Sequence, residues 1–182
     1  RCNMTITDTP LAGLKVLQPK VYEDGRGYFL ELHNRRTLQN LGFSEAFVQD
    51  NLSFSRRGVL RGLHYQYPGW QGKLVSVVNG EIYDVVVDIR KDSPTFGRWH
   101  GEVLSADNHR QLYVPAGFAH GFCVTGESAL VVYKVTDYYH PEREHTLLWN
   151  DPALGIAWPI QQPLLSAKDN EGKLLRDLML PA

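Results

Sequence analysis

The sequence predicts an all-β domain closed into a barrel, with a few short helices, on three observations. Short runs rich in Val, Ile, Tyr and Phe recur from Leu14 to Trp158, broken roughly every eight to fifteen residues by Gly, Pro or Asn. Asn79-Gly80 stands between two such runs, and this dipeptide readily takes the positive φ angles of a tight hairpin turn. Helical signals are confined to two short stretches. Many antiparallel strands with little helix leave a sandwich, a jelly roll or a small barrel, and closure, which hides strand edges, favours the barrel. The 182 residues suit one domain, expected over residues 4–182, with Arg1, Cys2 and Asn3 ahead of Met4 set apart from the fold.

Along the chain, strands are expected at Lys15 to Gln18, Tyr28 to His33, Phe47 to Ser53 and Val59 to Gln66. Lys73 to Val78 and Glu81 to Ile89 form the expected hairpin around Asn79-Gly80. Further strands are expected at Arg98 to Leu104, Gln111 to Val114, His120 to Thr125 and Leu130 to Thr136. One helix is expected from Arg35 to Leu41, capped by Asn34 and ended by Gly42 in the left-handed conformation. A second is expected from Gly172 to Leu178.

Composition removes several function classes. Hydrophobic residues at 43% and charged residues at 21% exclude a disordered chain. Nineteen Lys and Arg against twenty Asp and Glu give a net charge of -1, so no global basic field draws the protein to nucleic acid or an anionic membrane. Any anionic ligand must be met by local arginines. No apolar run nears the roughly 18 residues of a membrane span, and no secretory leader is visible, so a soluble, cytoplasmic protein is expected. Cys2 and Cys123 are too few for a disulfide framework and lack metal-ligand spacing, which fits a reducing cytosol. A nucleophilic Cys123 is the weaker alternative to a free thiol.

Two segments concentrate chemistry. Gly58 to Gln66 places Arg61 and His64 inside a strand, and Pro115-Ala-Gly117-Phe-Ala-His120 sets a histidine after a Pro/Gly turn. Together they resemble the two motifs of cupins, a fold of jelly-roll barrels. Gly58 and His64 keep the first motif's spacing, and Pro115, Gly117 and His120 keep the second. Gln66 replaces the second histidine, and Lys73 stands where the motif has its glutamate. Gln is a poor ligand for a transition metal and an ammonium repels a cation, so metal binding is not expected. Lys73 would instead supply fixed positive charge for an oxyanion or enolate. Lys73 is in phase with Val75 and Val77, which leaves two readings, an amine at a strand end reaching solvent or one inside the barrel mouth. In a regular strand Arg61 would point away from His64, unless Gly62 marks a bulge.

A closer resemblance runs through the whole chain. Gln49-Asp-Asn51, Val59-Leu-Arg-Gly-Leu-His-Tyr-Gln66, Gln71-Gly-Lys-Leu74, Asp84-Val-Val-Val-Asp-Ile-Arg90 and Ser93-Pro-Thr-Phe-Gly97 are followed by Pro115 to Phe122, Trp149-Asn-Asp151 and Ser166-Ala-Lys-Asp169. These motifs, in this order from Met4 to about Leu180, resemble the dTDP-4-dehydrorhamnose 3,5-epimerase family. Tyr28 and Tyr65 stand where members often have Phe, and neither change removes a chemical group.

The resemblance implies a cofactor-independent enzyme acting on dTDP-4-dehydro-6-deoxy-D-glucose and inverting the carbons on either side of its ketone. Such inversion needs a base, an acid and a cation for the enolate. By resemblance His64 is the base, Asp169 its orienting partner, Tyr133 the proton donor and Lys73 the enolate-stabilising cation. His120, Arg26, Glu31, Gln49, Asn51, Arg61, Glu144 and Lys168 match substrate-binding positions, and Tyr139 matches the residue that stacks on thymine. Family members are homodimers whose N-terminal strands reach the neighbouring site, so Arg26 and Glu31 are expected to act there. Without the resemblance, Asp169 reads as a loop carboxylate, Tyr133 as core, and Arg26 and Arg61 as surface ion-pair residues. The histidines at 33, 100, 109, 140 and 145 carry no motif and read as solvated or structural. Competing readings are an epimerase acting on one carbon, a metal-dependent cupin and a non-catalytic sugar-nucleotide binder.

Overall fold

The computed structural model describes residues 3–181, so Cys2 lies outside the described residues. It contains strands β1 (Met4–Asp8), β2 (Lys15–Pro19), β3 (Tyr22–Asp24), β4 (Gly27–Phe29), β5 (Gln49–Arg56) and β6 (Leu60–Gln66). These are followed by β7 (Lys73–Asp88), β8 (Trp99–Ser105), β9 (Gln111–Val114), β10 (Phe118–Val135) and β11 (Glu144–Thr146). Helices α1 (Arg35–Asn40) and α2 (Ala167–Asn170) are both short. Among the described residues no helix is long and apolar enough to cross a membrane.

The strands form an antiparallel jelly roll in which β7 and β10 run side by side through both layers. The first half of β7 pairs with β9, which carries β2 and β1, while its second half pairs with β8. In the same way β10 gives its first half to β6 and its second half to β5. The Asn79-Gly80 hairpin is therefore corrected to a corner inside one long strand. Gly80 does take φ +82°, as its sequence suggests, but it bends β7 from one layer to the other, and β10 bends with it at residues 124–131. A Cβ on Gly80 would lie 1.9 Å from the Ser128 carbonyl oxygen, so the corner needs glycine. For the same reason, His120–Thr125 and Leu130–Thr136 are one strand.

The Tyr28–His33 strand shrinks to a three-residue arm of a separate β3–β4 hairpin. At α1 the expectation holds in detail. Asn34 accepts a bond from the Thr37 amide at 3.2 Å, and Gly42 follows at φ +93°. The Gly172–Leu178 helix does not form, beyond a single 3₁₀ turn at Leu175–Asp177. The Lys173 amide donates to Thr146 and its carbonyl accepts from Leu148, holding this segment extended against the chain after β11. Gly172 is pressed on Leu148, where a Cβ would sit 2.9 Å from backbone.

Alternation divides the side chains between three apolar clusters. Val75, Val77, Ile82, Val86, Phe118, Phe122 and Val131 face inward between the layers. Leu74 and Tyr113 face outward beneath Leu38 of α1. Val85, Val87, Leu63 and Tyr65 face outward on the other layer, where Leu147, Leu154, Trp158 and Leu175 cover them. Burial of that apolar face draws the C-terminal segment across β6 and brings α2 to the mouth of the barrel. Ser166 caps α2 by accepting from the Asp169 amide at 3.1 Å.

Candidate active site

Inward phase on four strands places the polar groups of the barrel in one cavity of about 380 Å³. Lys73 and Tyr133 come from one end of the β7–β10 pair, His120 from the other, and Arg61 and His64 from β6. The mouth is formed by Gln49, Asn51, Tyr139, Glu144 and Lys168. Gly62 resolves the phase conflict between Arg61 and His64. It takes φ +115°, and the β6–β10 register shifts beside it, so both side chains reach the cavity. A Cβ on Gly62 would lie 2.6 Å from the Gly121 Cα, so two glycines let the strands touch here.

His64 is held from both sides. Its Nε2 lies 2.5 Å from Asp169 Oδ1, and its Nδ1 lies 3.7 Å from Glu144 Oε1. The second oxygen of Asp169 accepts the Gly62 amide at 3.1 Å. Burial alone would raise the Asp169 pKa, but the bonds from His64 and Gly62 outweigh it and hold the carboxyl below its usual value. Glu144 behaves likewise, with burial opposed by Lys168, His64 and Tyr139. Its Oε2 accepts from Lys168 Nζ at 2.6 Å and from the Tyr139 hydroxyl at 2.8 Å.

The Lys73 amine is inside the barrel mouth, not at a solvated strand end. Burial pulls its pKa down to about 8, against the opposing pull of Asp84 and Glu144. Burial likewise pushes the Tyr133 phenol up, and Glu144 adds to that shift. His120 Nε2 lies 2.8 Å from Asp84 Oδ2 in the buried floor. Arg61 is braced by its Nε bond to Ser55 Oγ at 2.8 Å. An imidazole backed by a carboxylate, a phenol and an ammonium thus meet at a pocket whose rim is cationic at Arg61 and Lys168.

A sequence model described as dTDP-4-dehydrorhamnose 3,5-epimerase matches residues 8–177. The chain belongs to the dTDP-4-dehydrorhamnose 3,5-epimerase family. It is thereby an isomerase, and relatives of that name match nearly its whole length. The Pseudomonas aeruginosa dTDP-4-dehydrorhamnose 3,5-epimerase is 52% identical over 176 residues, covering 96% of this chain and 97% of that protein. The Neisseria gonorrhoeae enzyme is 57% identical over 171 residues, 93% of this chain, which spans about half of that longer protein (52%). The crystal structure of dTDP-6-deoxy-D-glucose-3,5-epimerase from Legionella pneumophila, in complex with dTDP-4-keto-L-rhamnose, superposes with a TM-score of 0.94. It is 51% identical, with 97% of this chain and 95% of that chain covered.

Within the epimerase fold, the positions of cupin metal ligands do not fit an ion. Gln66 spends its amide on the Gly69 and Tyr138 carbonyls and on the His140 amide, tying loops together. Lys73 brings an ammonium to the same space, and His64 and His120 each give one ring nitrogen to a carboxylate.

Of the other residues expected at the site, Arg26 and Glu31 stand outside this cavity. Arg26 is exposed on the β3–β4 turn and pairs with Asp24, and Glu31 accepts from Asn34. Motif reading assigned no role to Asp84, Ser53 or Phe122. The signal for Asp84 was present, since a carboxylate in phase with Ile82 and Val86 must face inward.

Proposed function

We propose that the cavity binds dTDP-4-dehydro-6-deoxy-D-glucose and inverts carbons 3 and 5 by the same proton chemistry at each. Asp169 holds the proton on His64 Nε2, which leaves the Nδ1 lone pair as the base. Nδ1 takes the proton alpha to the ketone, and the C–H electron pair moves into a carbon–carbon double bond as charge collects on the carbonyl oxygen. The Lys73 ammonium stabilises that enolate oxygen. Tyr133 returns a proton to the opposite face, and the imidazolium and phenolate then exchange protons with solvent. No electrons are gained or lost overall, and no metal step is involved. Arg61 and Lys168 suit the pyrophosphate, with Gln49 and Asn51 contacting the ligand and Tyr139 stacking on the thymine.

The carrying observation is the His64–Asp169 pair in one cavity with Lys73 and Tyr133. Arg26, on the turn of the exposed N-terminal hairpin that carries Tyr28 and Phe29, and Glu31, just after that hairpin, would complete the neighbouring site of a homodimer. The low cysteine content suits work in the cytosol. His64→Ala tests the reading. Turnover should fall at least about 10²-fold while dTDP-sugar binding, followed by calorimetry, persists; turnover equal to wild type would remove His64 as the base.

A further inference from the structure

Among the described residues, Asp84 is a buried carboxylate behind the site that the reaction scheme leaves unused. It is fully shielded from solvent, on the inward face of β7. Its Oδ2 takes His120 Nε2 at 2.8 Å, while Oδ1 has no hydrogen-bond partner among the described residues. A buried carboxylate oxygen without a partner is uncommon and calls for a reason. Asp88, on the same strand, uses both oxygens, meeting Arg90, Ser93 and Thr95. Asp84 instead leaves one oxygen uncommitted inside the barrel; burial raises its pKa, while His120 and Lys73 pull it back toward the charged form. The titratable groups facing it are His120 and Cys123 from β10, Lys73 from its own strand and Glu102 from β8. Lys73 in turn faces Asp84 and Glu144 of β11, and the His120 ring also feels His64 of β6.

Two chemical consequences follow. An imidazole nitrogen beside a carboxylate carries the proton, so the neutral His120 ring keeps Nδ1 as an acceptor. An anion behind a buried amine opposes the loss of its proton. We propose that Asp84 is a positioning residue for the epimerisation. Its carboxylate fixes His120 through Nε2 and acts as the counter-charge that keeps the Lys73 amine protonated. The cation that meets the enolate oxygen thus depends on a side chain that does not itself line the cavity. This inference rests on the enolate reading of the site.

The test is Asp84→Asn, which keeps the shape and an acceptor for His120 but removes the charge. The basic limb of the kcat/KM profile should move about one pH unit lower, with kcat falling at pH 8 more than KM changes. The Lys73 side-chain NMR titration should shift the same way, and it needs no turnover. In the wild type, the Asp84 carboxyl should be ionised at pH 7 by carbon NMR, which keeps the idea testable if the variant does not fold. A uniform fall in kcat with an unmoved pH profile, an unmoved Lys73 titration or a protonated wild-type Asp84 would each overturn the proposal. Wild-type protein without epimerase activity would overturn the reaction reading and the positioning role with it, even where the Lys73 shift registered the charge coupling.

Discussion

Asp169→Asn isolates what the carboxylate does for the base. The amide is isosteric and can keep the Gly62 bond through its oxygen, which turns its NH₂ toward His64 Nε2, now 2.5 Å from a carboxylate oxygen. The ring must then accept at Nε2 and carry its proton on Nδ1, the nitrogen that needs a free lone pair. The variant also loses the negative charge that stabilises the imidazolium. General base catalysis contributes about 10²–10⁴-fold, so turnover should drop by that factor, or about 3–5 kcal/mol in the barrier. One charge-assisted bond contributes roughly 1.5–3 kcal/mol to stability, and a chain of this size loses roughly 2–4 °C of Tm per kcal/mol. The folded carboxyl titrates below the ordinary carboxylate value of 3.8, so the stabilisation is present above pH 3.8 and disappears as pH falls through the lowered folded value. The Tm curves of variant and wild type should therefore converge in strong acid. Steady-state turnover and thermal unfolding across pH are the assays. Turnover within about threefold of wild type would refute the tautomer argument.

Other expectations concern the acid, the glycine contact and the fold. Tyr133→Phe should keep solvent hydrogen exchange at the substrate carbons while inverted product falls at least about 10²-fold, as read by proton NMR; loss of both together would deny Tyr133 the role of acid. Gly62→Ala should cost about 2–4 kcal/mol in denaturant unfolding, because its Cβ meets Gly121 and its backbone holds φ +115°. At Asp88, burial raises the pKa but donors from Arg90, Ser93 and Thr95 outweigh it and bring it down to about 2. Its contribution of about 2 kcal/mol is present above the unfolded value of 3.8 and lost as pH falls toward 2. Asp88→Asn should lower Tm at pH 7 and cost little near pH 2.

The local grammar of this chain is readable where one element answers to one signal. Asn34 and Gly42 mark α1 because capping and left-handed φ are decided within a few residues. At Asn79-Gly80 the same grammar misleads, because it reports a bend and not which strands pair across it. Pairing is set by burial of β7 against β9, β8 and β10, which no short window contains. Inward phase groups Lys73 with Val75 and Val77 and Asp84 with Ile82 and Val86, but the switch of parity between the two sets falls at the residue 78–80 corner, which the pattern does not locate. The bulge at Gly62, needed to bring Arg61 and His64 together, depends on contact with Gly121 across the sheet. The contact of His64 with Asp169, 105 residues apart, follows from apolar residues of the C-terminal segment covering β6. Ser166 three residues before Asp169 is a capping signal that could have marked α2.

The most direct test of the central claim is to incubate the protein with dTDP-4-dehydro-6-deoxy-D-glucose in deuterated water and follow carbons 3 and 5 by NMR. The account predicts deuterium at both carbons together with the L-rhamno product. Exchange and inversion at one carbon would contradict the double inversion and assign a single-site epimerase, and no exchange at either carbon would contradict the enolate chemistry itself.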